Sequence, residues 1–153
     1  LFAHDIRYSP NNARMHKNHG GSIARRALAA TDAAEKTRLA NAAIVELEHA
    51  LSLYNRIPTG HVHLGNMHFI LRDYDRAAQS FETALGMNPN DHYATANLAN
   101  IVYRRGDYAR TVQMLEGLNK RNFSKNDYYL LSLAYEKLGN NQQAELYRKY
   151  SGR

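Results

Sequence analysis

Residues 61–91 read HVHLGNMHFILRDYDRAAQSFETALGMNPND, and this stretch decides the fold. Over 61–71 the apolar residues recur with the spacing of one helix face. A polar turn at 72–73 follows, and over 74–85 alanines alternate with aromatic residues along a second helical stripe. Asparagine, proline and aspartate at 88–91 end this second helix. The stretch predicts two short, closely packed antiparallel helices.

The same pattern returns after about 34 residues, and then once more. The second copy has Leu98-Ala99, Gly106-Asp107-Tyr108 and Leu115; the third has Leu131, Tyr135, Gly139 and Ala144. A period of this length is typical of a solenoid, in which stacked helix pairs bury one continuous apolar strip. We predict repeats at 58–91 and 92–124, and a truncated C-terminal repeat at 125–153.

The N-terminal third carries a weaker form of the pattern. Residues 13–57 are interpreted as an expanded repeat, with helices near 13–30 and 33–55 and a polar turn between them. Residues 1–12 are interpreted as the tail of a preceding repeat. Because the chain begins with Leu1, we expect it to have been processed, excised from a longer protein or trimmed. If residues 1–12 are a repeat tail, excision is favoured and the native protein continues N-terminally; the alternative is a free amphipathic N-terminal segment. All of 1–153 is predicted to form a single domain.

The repeat at 58–91 resembles the tetratricopeptide repeat. The matching residues are Leu64, Gly65, Tyr74, Ala77, Phe81, Ala84 and Pro89, while His61 and His68 replace the usual tryptophan and tyrosine. The resemblance implies an all-α fold, a right-handed superhelix of antiparallel helix pairs known as an α-solenoid. Residues 1–21 also resemble the first repeats of membrane O-mannosyltransferase-type proteins, which carry such arrays on the non-cytoplasmic side. The compartment stays open.

Composition limits the function classes. The 153 residues include no cysteine, so disulfides and thiolate chemistry are excluded. No apolar run approaches the roughly 20 residues of a membrane span. The net charge of +6 is spread along the chain, which favours a solvated basic surface over nucleic-acid binding. One basic patch follows the first predicted helix: Arg14, Lys17, Arg25 and Arg26.

Patterns for catalysis and metal binding are missing. The sequence has no glycine-rich phosphate loop and no nucleophile elbow, so we expect neither enzyme activity nor a cofactor. The 8 histidines include two clusters, one at His16 and His19 and the other at His61, His63 and His68. No carboxylate lies at a useful spacing beside either cluster, so we expect packed or surface histidines and no metal.

The resemblance implies that the first helix of each pair lines a concave groove that binds peptides. Eight residues are predicted to bind there: Asn66, Phe69, Tyr93, Asn97, Asn100, Tyr103, Arg104 and Tyr129. An asparagine amide can pair with a peptide backbone through its donor and its acceptor, and aromatic rings supply rigid anchors. Alternatively, the asparagines bond neighbouring helices and the aromatic residues pack between repeats.

Some members of the family hold a C-terminal carboxylate with two asparagines and three cations. Asn66 and Asn97 match the asparagines, but Val62, Asn126 and Leu130 replace the cations, so we reject such a clamp. The expected function is a non-catalytic scaffold for a protein or peptide partner. The alternatives are an extracytoplasmic accessory domain of a membrane glycosyltransferase and self-association through the C-terminal repeat.

Overall fold

A computed structural model describes residues 10–153, and these residues form eight α-helices. The helices are α1 Pro10–Ala29, α2 Ala33–Leu53, α3 Pro58–Ile70, α4 Tyr74–Met87, α5 His92–Arg104, α6 Tyr108–Glu116, α7 Lys125–Lys137 and α8 Asn141–Ser151. A short 3₁₀ turn, Lys120–Asn122, precedes α7. The prediction of an all-α fold is confirmed. Most of the predicted repeat tail at 1–12 lies outside the described residues.

Acidic and polar caps explain where most of the helices begin. The residue before the helix accepts a hydrogen bond from the third backbone N–H of the helix, which satisfies a donor that has no partner within the helix. These caps are Asp32, Asp73, Asp91, Asp107 and Asn140. At α7 the cap is reciprocal, because Ser124 and Asp127 each bond the other's backbone N–H.

Three of the helix pairs share one turn geometry. Arg72, Gly106 and Gly139 each follow the first helix of a pair and have positive φ angles of 62°, 87° and 76°. The next residue then donates its N–H to a carbonyl of the last helical turn, as Asp73 does to His68 at 2.9 Å. Glycine adopts this left-handed conformation without strain, so Arg72 is the exception.

The described residues divide into two compact units, with the boundary between Pro89 and Asn90. In the N-terminal unit, α1 to α4 bury small residues between close helices. The largest apolar side chains of this core include Leu47, Met67 and Phe81, each fully buried. Phe81 lies on Gly65 so closely that a Cβ there would be 2.7 Å from the ring. Gly65 is therefore where α3 and α4 approach, as the sequence predicts.

The C-terminal unit, α5 to α8, has its own core of Ala96, Ala99, Leu115, Leu130 and Leu131. Around it lies a cluster of aromatic residues in which the rings of Tyr135 and Tyr147 stack with centroids 5.8 Å apart. The burial of apolar area is the main stabilising contribution in each unit. Whether 1–153 acts as one domain, with the predicted repeat limits, stays a prediction. Within 10–153, every helix is too short or too polar to cross a membrane.

Candidate functional site

The eight predicted binding residues lie on first helices in both units. Asn66 and Phe69 lie on α3 of the N-terminal unit, and the other six lie on α5 and α7 of the C-terminal unit. In the C-terminal unit, seven residues line an open depression of roughly 360 Å³ between α5 and α7. We call it the α5–α7 depression, and its residues are Asn100, Tyr103, Arg104, Asn126, Tyr129, Leu130 and Leu133.

Two arginines engage the asparagine oxygens of the α5–α7 depression. Arg104 donates from Nε to Oδ1 of Asn100 at 3.0 Å. Arg153 donates from Nη2 to Oδ1 of Asn126 at 3.2 Å. An asparagine amide has one oxygen acceptor and an NH₂ group with two donors. With each oxygen bonded to a guanidinium, the amides present their N–H donors, the groups that pair with a peptide carbonyl.

The aromatic residues of the depression are held by neighbouring side chains. The guanidinium of Arg153 lies 4.3 Å from the ring centroid of Tyr129, a cation–π contact. The Tyr103 ring lies 5.2 Å from that of Tyr108 at the start of α6. Burial raises the pKa of Tyr103, with smaller effects from Tyr108 and Glu136, so this hydroxyl stays protonated at neutral pH. Each ring is therefore held by a neighbouring side chain, Tyr129 by Arg153 and Tyr103 by Tyr108.

The other predicted residues lie outside the α5–α7 depression. Tyr93, near the N-terminus of α5, is 74% exposed, with its ring edge against His92. Asn97 is half-buried on α5. On α3, Phe69 makes an edge contact with Tyr74 of its own helix pair at 5.3 Å, and Asn66 is half-buried. Phe69 thus packs inside its own helix pair, whereas the alternative that the sequence left open was packing between repeats.

Four residues of this region are absent from the predicted set: Asn126, Leu130, Leu133 and Arg153. Asn126 shares a helical face with Tyr129 and Leu133, so the spacing could have found it. Arg153 is the last residue of the chain, and its contact with Tyr129 depends on the path of the chain after α8. No sequence pattern indicates such a contact. The apolar residues at two clamp positions, Val62 and Leu130, are each only 8% exposed.

A carboxylate that is distant in the sequence lies beside the first histidine cluster. Oε2 of Glu46 on α2 lies 2.9 Å from Nδ1 of His16 and 3.4 Å from Nδ1 of His19. The hydrogen bond from His16 is the largest cause that lowers the pKa of Glu46. The sequence does not indicate Glu46 as a partner, because it lies on the next helix, 30 positions after His16. In residues 10–153, no three histidine or acidic side chains are grouped to hold a metal ion.

Comparison with known proteins places the chain in a family. The family model described as "Anaphase-promoting complex, cyclosome, subunit 3" matches residues 61–147, more than half of the chain. The chain belongs to this family of tetratricopeptide-type repeats. It is also 28% identical over 78 residues to Tetratricopeptide repeat protein 1 of Schizosaccharomyces pombe. That match covers 48% of the chain but only 8% of the curated relative, so the chain spans a small part of that protein's length.

Several solved structures have the same fold as this chain. A crystal structure of MamA has a TM-score of 0.74 at 21% identity, with 94% of the chain and 78% of MamA covered. MamA from Desulfovibrio magneticus RS-1 also scores 0.74, at 20% identity, with 92% and 73% covered. At such low identity the likeness shows the fold alone, which is the tetratricopeptide-type helical solenoid. The predicted family and fold class are confirmed.

Proposed function

We propose that the chain is a non-catalytic protein-interaction scaffold and that the α5–α7 depression binds an extended peptide segment of a partner protein. The observation that carries this proposal is the combination of amide donors and rigid aromatic rings in one open depression. Tyrosine and arginine are among the residues that protein interfaces use most as anchors. The tetratricopeptide-type fold is typical of such scaffolds, and the sequence offers no catalytic pattern.

The chemistry of the depression fits a peptide backbone. Asn100 on α5 and Asn126 on α7 lie on its two sides, and each has its oxygen fixed by an arginine. Their N–H groups can then donate to the carbonyls of an extended peptide, which rises about 3.2–3.4 Å per residue and points every second carbonyl to the same side. Leu130 and Leu133 add apolar surface for an aliphatic side chain. Because the side chains are held before binding, little conformational entropy remains to be lost.

The four predicted residues outside the depression form a second, separately tested part of the proposal. Tyr93 and Asn97 lie on α5, where they extend the binding face toward the start of that helix. Asn66 and Phe69 lie in the N-terminal unit, so their contribution is tested with their own variants. A ligand confined to the α5–α7 depression will not respond to changes at Asn66 or Phe69.

Selection from a random peptide library on the full chain tests the proposal. Selected peptides are then titrated against the wild type, Tyr129→Ala and Asn100→Ala. We expect each change to weaken binding about tenfold, since loss of an interface anchor costs about 1–2 kcal/mol. Gln113→Ala, an exposed change on the second helix α6, is the matched control and should bind as the wild type does. Equal affinities for all four proteins would reject the site.

Self-association is the second candidate, and one observation favours it. On α8, Leu146 and Tyr150 lie one turn apart and are 41% and 59% exposed. Two other apolar residues of α8 are covered, because Ala144 is buried and Tyr147 stacks on Tyr135. Sedimentation of the wild type and of Leu146→Lys distinguishes the candidates. A concentration-dependent dimer that Leu146→Lys abolishes would support self-association, and a monomer at all concentrations would dismiss it.

A further inference from the structure

The ring of His63, on α3, lies against a basic face of α1. Lys17, Gly21 and Arg25 follow each other at four-residue spacing, so they share one face of α1. The ring of His63 lies over the middle of this face. A Cβ placed on Gly21 would be 3.2 Å from both Cδ2 and Nε2 of that ring. Lys17 therefore stands one helical turn before the ring, and Arg25 stands one turn after it.

These charges have no acidic partner within residues 10–153. The ion pairs there join other cations to the carboxylates, and neither Lys17 nor Arg25 takes part in one. Nδ1 of His63 is buried and has no hydrogen-bond partner among residues 10–153. Burial lowers the pKa of His63, and the nearby charges of Arg25 and Lys17 lower it further. Two cations, Lys17 and Arg25, thus flank an uncharged imidazole and have no anion beside them among the described residues.

We propose that this α1–α3 basic face, formed by Lys17, Arg25 and His63, binds an extended acidic segment of a partner protein. Lys17 and Arg25 are eight residues apart, which is about 12 Å along a helix. An extended peptide covers that distance in about four residues. The segment therefore carries two acidic residues about four positions apart, one for each cation. The proposal concerns the N-terminal unit and does not rest on the peptide site of the α5–α7 depression.

A peptide fits this face better than a nucleic acid does. Proteins that bind single-stranded nucleic acid stack its bases on aromatic side chains set along a positive groove. α1 contains no phenylalanine, tyrosine or tryptophan. Leu28 continues the same face of α1 beyond Arg25 and is 52% exposed, which suits an aliphatic side chain of a peptide. Two cations with one apolar neighbour complement an acidic, partly apolar segment.

An NMR titration of the full, ¹⁵N-labelled chain tests the proposal. The probe is a blocked peptide with the sequence Glu-Ser-Gly-Ser-Glu, and the control peptide has glutamine in place of both glutamates. We expect the glutamate peptide to shift the Gly21 amide and the His63 ring signals, and the glutamine peptide to leave them unchanged. Binding should weaken as salt is raised, because the charges are exposed. Equal shifts from the two peptides, or none from either, would overturn the proposal.

Two variants of equal charge locate the site. Arg25→Glu reverses a charge in the basic face, and Arg26→Glu reverses its neighbour, which points about 100° away around α1. Arg25→Glu should weaken glutamate-peptide binding at least about tenfold, while Arg26→Glu should change it less than about threefold. The amide spectra of both variants report whether they fold as the wild type does. Equal losses of peptide affinity in the two variants would show a diffuse charge effect and overturn the proposal. Tighter binding of a single-stranded RNA than of the peptide would assign the face to nucleic acid and overturn it as well.

Discussion

The carboxylate of Glu116 accepts a hydrogen bond from the hydroxyl of Tyr147 at 2.7 Å and so joins α6 to α8. The same oxygen accepts from Tyr135 of α7 at 3.1 Å, and Lys120 donates to the other oxygen at 2.8 Å. Burial by itself would raise the pKa of Glu116, but these three hydrogen bonds outweigh it and lower the pKa. One carboxylate thus connects three elements at the C-terminal end of the chain.

Tyr147→Phe should destabilise the C-terminal unit. The change removes the hydroxyl bound to Glu116 and leaves the ring that stacks on Tyr135. We expect the free energy of unfolding to fall by about 1 kcal/mol, because a partly exposed hydrogen bond to a charged group contributes about that much. Urea denaturation measures it. Tyr150→Phe is the matched control, since Tyr150 is 59% exposed, and it should be neutral. Equal stability of both variants would contradict the role of Glu116.

Gly65→Ala should destabilise the N-terminal unit. The new methyl group would lie 2.7 Å from the buried ring of Phe81, so the helices α3 and α4 must move apart. Such overpacking costs about 1–3 kcal/mol, and the better helix propensity of alanine returns up to about 1. Gly86→Ala on α4 is the control, because nothing lies within 4 Å of its added Cβ. Thermal unfolding should show a lower Tm for Gly65→Ala and an equal or higher Tm for Gly86→Ala.

Arg72→Gly should stabilise the chain. Arg72 has a φ angle of 62°, a conformation in which a side chain costs roughly 1–2 kcal/mol. Glycine removes that strain but adds freedom to the unfolded state, so the net gain is about 0.5–1 kcal/mol. The equivalent turn offers the reverse test: Gly106→Ala should cost about 1 kcal/mol, since its φ is 87° and its surroundings are open. Denaturation curves that moved in the same direction for both variants would refute this reasoning.

Acidification below about pH 7 should destabilise the N-terminal unit. Burial lowers the pKa of both His63 and His68 below the ordinary value of 6.5. In the pH range between the folded and unfolded pKa values, the unfolded state binds more protons, so stability falls as the pH falls. The loss is complete below the folded pKa values.

Unfolding by urea at a series of pH values measures this slope. His68→Gln removes one of the two groups, so its stability should depend less on pH in this window than that of the wild type. His68 is only 5% exposed, so its replacement lowers the stability at every pH. The measured quantity is therefore the change in stability of each protein with pH, not the difference between the two proteins at one pH. An unchanged slope would mean that His68 does not titrate differently on unfolding.

Local patterns explain how much of the fold the sequence predicts. Gly65, the turn at Gly106-Asp107 and the alanine stripe of α4 act over a few neighbouring positions, so their helical spacing indicates their structural role. Contacts made far along the chain carry no such spacing. The Glu46 partner of His16 lies 30 positions away and the Glu116 partner of Tyr147 lies 31 positions away. The exceptional φ of Arg72 also escapes prediction, because arginine does not mark a left-handed turn.

In the candidate site, too, residues on one helix face could be predicted, and contacts between distant parts of the chain could not. Asn100, Tyr103, Arg104 and Tyr129 could be selected from the helix face that the repeat presents, and they line one depression. Arg153, which contacts Tyr129 and bonds Asn126, could not be selected, because its position depends on how α8 ends. The basic face of α1 was visible as a run of charges. Its convergence on His63 depends on the packing of α1 against α3.

Hydrogen exchange of the full chain with and without a selected peptide tests the central claim most directly. If the α5–α7 depression binds the peptide, backbone amides of α5 and α7 should gain protection, while those of α6 change less. Tyr129→Ala should remove that protection at the same peptide concentration. Protection confined to α6 and α8, or protection that Tyr129→Ala leaves intact, would contradict the account and move the binding site to another surface.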